Sequence, residues 1–264
     1  MPEQITNFHT HTSFCKHAGG LPADYAEAAL KDGRCRALGF SDHVCFPDDV
    51  ECTYRMFFNE MPEYCSLVNE IKGKYPFDIF LGFECEWRKD YSSWYNDYLR
   101  KEMGADYLVL ATHWYEKNGE FLFFDQMVDR KDFTDYSGQV IEAIESGCFD
   151  FLAHPDIMMM SHDSWDTNAK DCLIPVIEAA VKAGLPLEIN GNGIARPMKE
   201  TSSGLRYMYP VREFWKEAKA RNALVVCNSD AHSPKVVISQ AVMARQFAEE
   251  MGIKVLDRLS FMDR

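Results

Sequence analysis

The sequence predicts one α/β domain over residues 1–264, a barrel of seven β/α units. Strand-like and helix-like segments alternate along the whole chain. The strand-like runs, YLVLA and ALVV among them, are apolar throughout, as expected of parallel strands covered on both faces. Seven of the eight histidines fall at or just after the C-terminal ends of such runs, the face on which β/α barrels build their sites. The first two observations also admit a doubly wound sheet; the third favours the barrel. No linker, internal repeat or low-complexity stretch divides the chain.

ITNFHTH reads as the first strand, and PADYAEAALKDG as a helix with Pro22 in its first turn and Gly33 at its end. CRALGFSDH is the second strand, followed by a helical pattern from about Tyr54 to Lys74. FDIFLGFECEW is the third strand, and SSWYNDYLRKEM a helix with serines available as caps. YLVLATHW is the fourth strand, and the next helix runs from Thr134 to Gly147. FDFLAHPD is the fifth strand, and NAKDCLIPVIEAAVKAG a helix whose first turn is put in question by Pro175. LPLEIN and ALVVCNSDAH are the sixth and seventh strands, separated by the helix YPVREFWKEAKARN and followed by the helix SPKVVISQAVMARQFAEEMG.

A net charge of −13 argues against a nucleic-acid binder, which needs a basic surface, and offers no anchor to an anionic membrane. No apolar run approaches the ~18 residues of a membrane helix, and the opening residues carry no secretory pattern. The nine cysteines include no C-x-x-C pair, which points to free thiols and a cytoplasmic location. Cys15 and Cys45 lie near the histidines and read as small buried hydrophobes. Composition is silent on oligomeric state.

The candidate ligands are His9, His11, His17, His43, His113, His154 and His232, with Glu84 and Asp230. His9 and His11 stand two apart on a strand, so both rings share one face, roughly 6.6–6.8 Å apart along it. Asp230 and His232 repeat that spacing. A lone histidine at a strand end is more often a hydrogen-bonded structural residue; seven at one edge are not independent accidents. Imidazoles mixed with carboxylates suit Zn, Fe or Mn. His162 falls outside the pattern and reads as a solvated loop residue.

Specific segments carry a resemblance. They are His9-Thr-His11, His17-Ala-Gly, Phe-Ser-Asp42-His43, Gly82-Phe-Glu84, Thr-His113, Ala-His154-Pro-Asp, Glu188-Ile-Asn190, Tyr209-Pro210 and Ser-Asp230-Ala-His232. Together they resemble the polymerase-and-histidinol-phosphatase (PHP) superfamily, and within it the monofunctional histidinol-phosphatases, over nearly the whole chain. The resemblance implies a distorted (β/α)7 TIM-like barrel holding three divalent transition-metal ions. It implies that His9, His11 and Asp230 bind the first ion and that Glu84 bridges the first and second. His113 and His154 complete the second, and His17, His43 and His232 hold the third. Glu86, on the same strand face as Glu84, is left as a supporting, substrate-facing or surface acid. Where the family often has an acid two positions before the first histidine, this chain has Asn7, which could loosen a neighbouring ligand.

Two further residues are expected to act in catalysis. Arg196, in the glycine-bearing loop GNGIAR, is suited to gripping phosphate, with Arg206 as its rival. Asp42 is either a proton donor to the leaving alkoxide or a hydrogen-bond partner that orients a ligand. The chemistry expected is in-line hydrolysis of a small-molecule phosphate ester by water activated between metal ions. By resemblance the substrate is L-histidinol phosphate, whose ammonium group Glu86 or Glu188 could face. The rivals are another phosphate ester or nucleotide at the same site, and a non-catalytic metal-binding scaffold.

Overall fold

In the computed structural model, which describes residues 4–50 and 52–263, seven parallel strands wrap around a shared axis. In chain order the elements begin with β1 (Ile5–Asn7), α1 (Pro22–Asp32), β2 (Cys35–Phe40), α2 (Met61–Ile71) and β3 (Asp78–Glu86). A π-helical segment (Trp94–Glu102) leads to β4 (Tyr107–Ala111). A hairpin of β5 (Trp114–Lys117) and β6 (Glu120–Phe123) precedes α3 (Arg130–Glu145), β7 (Phe151–Leu152) and α4 (Thr167–Ala183). Then come β8 (Leu187–Asn190), α5 (Gly191–Ala195) and a second hairpin, β9 (Lys199–Thr201) with β10 (Gly204–Arg206). The last elements are α6 (Arg212–Ala220), β11 (Val225–Asn228) and α7 (Ser239–Met251).

The sheet order is β1-β2-β3-β4-β7-β8-β11, so all seven expected strands are present and each lies beside its successor. The two edges of this sheet meet. Thr10 bridges Ala231 in parallel fashion, and His11 N donates to Ala231 O at 2.9 Å. Side chains complete the seam: Ser229 N donates to Asn7 Oδ1 (2.8 Å), Asn7 Nδ2 to Ser229 Oγ (2.8 Å), and Phe8 N to Asn228 Oδ1 (2.7 Å). Asn7 is thus fully buried in the closure of the barrel, and the carboxylate behind the first histidine comes from elsewhere.

The barrel interior is filled from below. Phe8, Tyr107, Phe151 and Phe261 cluster there, with Phe261 stacked on Tyr107 at 4.7 Å between centroids. The Tyr107 hydroxyl donates to the carbonyls of Phe8 and Phe40. Room for this ring exists because β2 and β3 carry glycines beside it. A Cβ on Gly39 or Gly82 would stand 2.4 Å from a Tyr107 side-chain atom. With that end plugged, the cavity that takes in the histidines opens at the C-terminal ends of the strands. A larger apolar layer joins the outer faces of the strands to the helices.

Several expectations need correction. The helix expected from Tyr54 shrinks to α2, because Pro62 lacks the N–H an interior position needs and so sits in the first turn. The segment after β3 is π-helical, not α-helical. Helix α3 starts four residues before Thr134, where the Asp129 carboxylate accepts from Asp132 N as an N-cap. Pro175 does not interrupt α4, which Asp166 caps. Both hairpins were unexpected. No helix among the described residues is long and apolar enough to cross a membrane.

Candidate metal centre

All nine candidate ligands reach the open mouth of the barrel. His9 Nε2 and His11 Nε2 are 3.0 Å apart, and Asp230 Oδ1 lies 3.1 Å from His11 Nε2 and 3.5 Å from His9 Nε2. Glu84 sits at the centre. Its Oε1 is 2.9 Å from His154 Nε2 and 3.5 Å from His9 Nε2, and its Oε2 is 2.8 Å from His43 Nδ1 and 3.4 Å from His11 Nε2. The His113 and His154 rings lie 4.7 Å apart between centroids. His17 Nε2 and His232 Nε2 approach to 3.0 Å, with the His43 ring 5.3 Å from that of His17. His43 therefore stands between two groups: one with His17 and His232, the other with Glu84 and His113.

Local backbone sets these directions. The loop bearing His17 is closed by Ser13 N donating to Gly20 O, and Gly19 N ties it to His232 O. His154 and Asp230 both have positive φ, 27° and 51°, a conformation that costs a side-chain-bearing residue energy and concentrates at functional sites. The Asp230 carboxylate is aimed by two amides: Asn190 Nδ2 and Asn192 Nδ2 donate to its Oδ2, at 3.2 and 3.3 Å. Its Oδ1 is left for the histidines.

Two buried acids stand behind the ligands. Glu188 Oε1 meets His9 Nδ1 at 2.8 Å and accepts from Asn228 Nδ2, while Oε2 accepts from His154 N and Asn190 Nδ2. Glu86 Oε1 meets His113 Nδ1 at 2.6 Å, and Oε2 accepts from His113 N. Both act on histidines, so neither is placed to face an ammonium group of a substrate. Arg55, missed in the sequence reading, lies buried beside the cavity. It donates to Val44 O, rests 4.5 Å over the Trp114 ring, and adds positive charge near Glu86.

The arrangement suits cations. Facing imidazole nitrogens 3.0 Å apart can share at most one proton, and the two such pairs, His9 with His11 and His17 with His232, otherwise set lone pair against lone pair. Nδ1 of His11 and of His154 are buried without a hydrogen-bond partner among the described residues. Burial alone would raise the pKa of Glu84, but His43, His9 and His113 hold it well below the ordinary carboxylate range. Burial opposes the charged form of Asp230 too, and His9, His11 and His232 hold that group down. Burial, with His232 and His43 beside it, pushes His11 well below the ordinary imidazole value. Burial brings His43 down to about 4, against the pull of Glu84. Burial works against a charge on His9 and His113, but the acids around them raise both, so an ion would take the place of their protons; imidazoles mixed with ionised carboxylates suit divalent ions.

Arg196 ends α5 and lines the cavity together with Tyr209, its charge lying near the tyrosine hydroxyl. The glycines ahead of it serve close packing: a Cβ on Gly193 would stand 2.4 Å from Tyr209 O. Arg206 is turned the other way, its guanidinium taken by the carbonyls of Tyr207, Met208, Met159 and His162. Asp42 does not line the cavity. Its oxygens accept from Thr12 N (2.8 Å) and Thr12 Oγ1 (2.7 Å), and burial raises it to about 7. In that placement Asp42 braces the turn after His11 through Thr12. His162 pairs with Asp166 at 3.0 Å, away from the cluster. Cys15 and Cys45 are buried, and burial pushes both thiols up, that of Cys45 to about 12.

A protein of Deinococcus radiodurans named "Probable histidinol-phosphatase" is 29% identical over 241 residues, 87% of this chain and 87% of that protein. The crystal structure of histidinol phosphate phosphatase from Lactococcus lactis subsp. lactis Il1403, complexed with Zn, L-histidinol and phosphate, shares the fold. It has a TM-score of 0.72 at 17% identity over 98% of each chain. Residues 7–192, from the barrel seam through the strand that carries Glu188, match the family model of the PHP domain, and the chain belongs to that family.

Proposed function

We propose that this chain is a metal-dependent phosphomonoesterase that converts L-histidinol phosphate and water to L-histidinol and phosphate. One observation carries the reading: seven imidazoles and two carboxylates converge on one barrel mouth beside the exposed Arg196. The similarity to proteins named for this activity supports the choice of substrate.

His9, His11 and Asp230 would hold one ion, with Glu84 shared between it and a second ion on His113 and His154. His17, His43 and His232 would hold a third. Zn, Fe and Mn all suit these donors. Ions bound there supply a water of lowered pKa and positive charge for the phosphoryl oxygens.

The residues of the chain do the rest. Glu188 and Glu86 fix the orientation of His9 and His113 by taking Nδ1, which leaves Nε2 free to bind. Arg196 takes phosphoryl oxygens through its planar fork and so aligns the ester. Asp42, through Thr12, holds the turn that follows His9-Thr-His11. The test is phosphate release from L-histidinol phosphate by protein loaded with Mn or Zn. A kcat/KM well above that for an aryl phosphate is expected. Equal values would remove the substrate, and metal binding without hydrolysis of any ester would favour a scaffold.

A further inference from the structure

The cavity is about 980 Å³, far more than a phosphate group fills. Besides the histidines its wall includes Tyr54, Phe123, Phe124, Ile157 and Met160, which suits a flat or apolar group. Four acids line it. Glu84 and Asp230 belong to the ligand cluster, and Glu86 is tied beneath His113. The fourth, Asp125, is exposed and takes part in no ion pair among the described residues.

Asp125 is held at the rim on a 3-10 turn, Phe124–Gln126, that directly follows β6. The turn is fixed at two points. Phe124 N donates to His113 O at 2.9 Å, which fastens it to a candidate ligand, and Phe123 N donates to Gln126 Oε1 at 2.7 Å. A carboxylate on a fixed turn can bind a cation without first losing the entropy of a loose loop. The turn also packs beside the segment Ile157–Met160, so the acid and the apolar wall share one frame.

We propose that Asp125 is a specificity-determining residue that receives the ammonium group of an amino-alcohol phosphate while the aromatic wall covers the rest of the leaving group. The inference rests on the phosphatase reading above. A phosphate drawn to the histidine end and to Arg196 directs the other end of its ester toward the rim. There the carboxylate favours a cationic leaving group over a neutral one of the same shape.

The test compares wild type with Asp125→Asn on L-histidinol phosphate and on its des-amino analogue. The variant should lose about tenfold in kcat/KM on the amino ester, mostly through KM, since a charge-assisted hydrogen bond is removed. On the des-amino ester it should change less than about twofold by the same logic. Calorimetry gives a second readout: Asp125→Asn should weaken L-histidinol binding and leave inorganic phosphate binding unchanged. Asp125→Glu should restore part of the preference. Equal losses on both esters, or none on either, would overturn the role of Asp125 while leaving the phosphatase reading intact. Wild-type protein inactive on both esters would overturn both.

Discussion

Glu188 Oε1 lies 2.8 Å from His9 Nδ1, and neither side chain is reached by solvent. The same carboxylate accepts the backbone N–H of His154, so one buried acid orients candidate ligands on two strands. Glu188→Gln keeps the shape but removes the charge and turns one acceptor into a donor. Metal affinity, measured by competition with a chelator, should fall about 10- to 100-fold, with activity falling alongside. Unchanged affinity would show that the contact is structural only.

The two arginines of the rim separate by function and by stability. Arg196→Ala should cut kcat/KM on any phosphate ester by about 10²-fold with little change in melting temperature, because the side chain is exposed. Arg206→Ala strands partly buried carbonyls and should cost about 1 kcal/mol in chemical denaturation. The reverse pattern would exchange the two roles.

Metal uptake should release protons at neutral pH. Burial works against a charge on His113, but Glu86 and Glu84 outweigh it and raise the imidazole to about 8. In metal-free protein the stability lent by protonated His113 is complete below its ordinary value of 6.5 and is lost as pH rises through about 8. Cations compete with that proton, so metal affinity should climb with pH up to about 8. Titration calorimetry in buffers of different ionisation enthalpy should show more protons released at pH 7 than at pH 9. Equal release at both would place the titrating group elsewhere.

Gly82→Ala should destabilise the fold by about 3 kcal/mol, since the added methyl meets the Tyr107 ring inside a filled barrel. Gly138→Ala is the contrast. That glycine is exposed on α3 with nothing near its missing Cβ, so the change should stabilise by up to about 1 kcal/mol. Urea midpoints for both variants check the pair.

The barrel strands were legible because burial on both faces leaves an unbroken apolar run, as in Tyr107–Ala111. The ligands were legible because most stand at or soon after the end of such a run. What escaped notice lay between elements. The β5–β6 hairpin announces itself only by Asn118-Gly119, a turn pair flanked by aromatic residues, and overlooking it hid Asp125. Glu188 was noticed, but not its direction: Leu187–Asn190 is buried throughout, so alternation along the strand gives no cue to the histidine behind which it sits. Arg55 gave no signal, because its burial depends on Trp114, distant in sequence, as well as on Val44.

The seam between Asn7 and Ser229 joins residues 222 positions apart. His9 and Asp230, which contribute to the same cation pocket, flank that seam, so the pocket cannot exist until the seam closes. During synthesis, His9 and His11 cannot meet Asp230 until the seventh strand emerges. Closure of so long a loop is slow, and until it is made every group that uses Asp230 or His232 lacks that ligand. Completion of the nine-donor set is therefore tied to closure of the barrel.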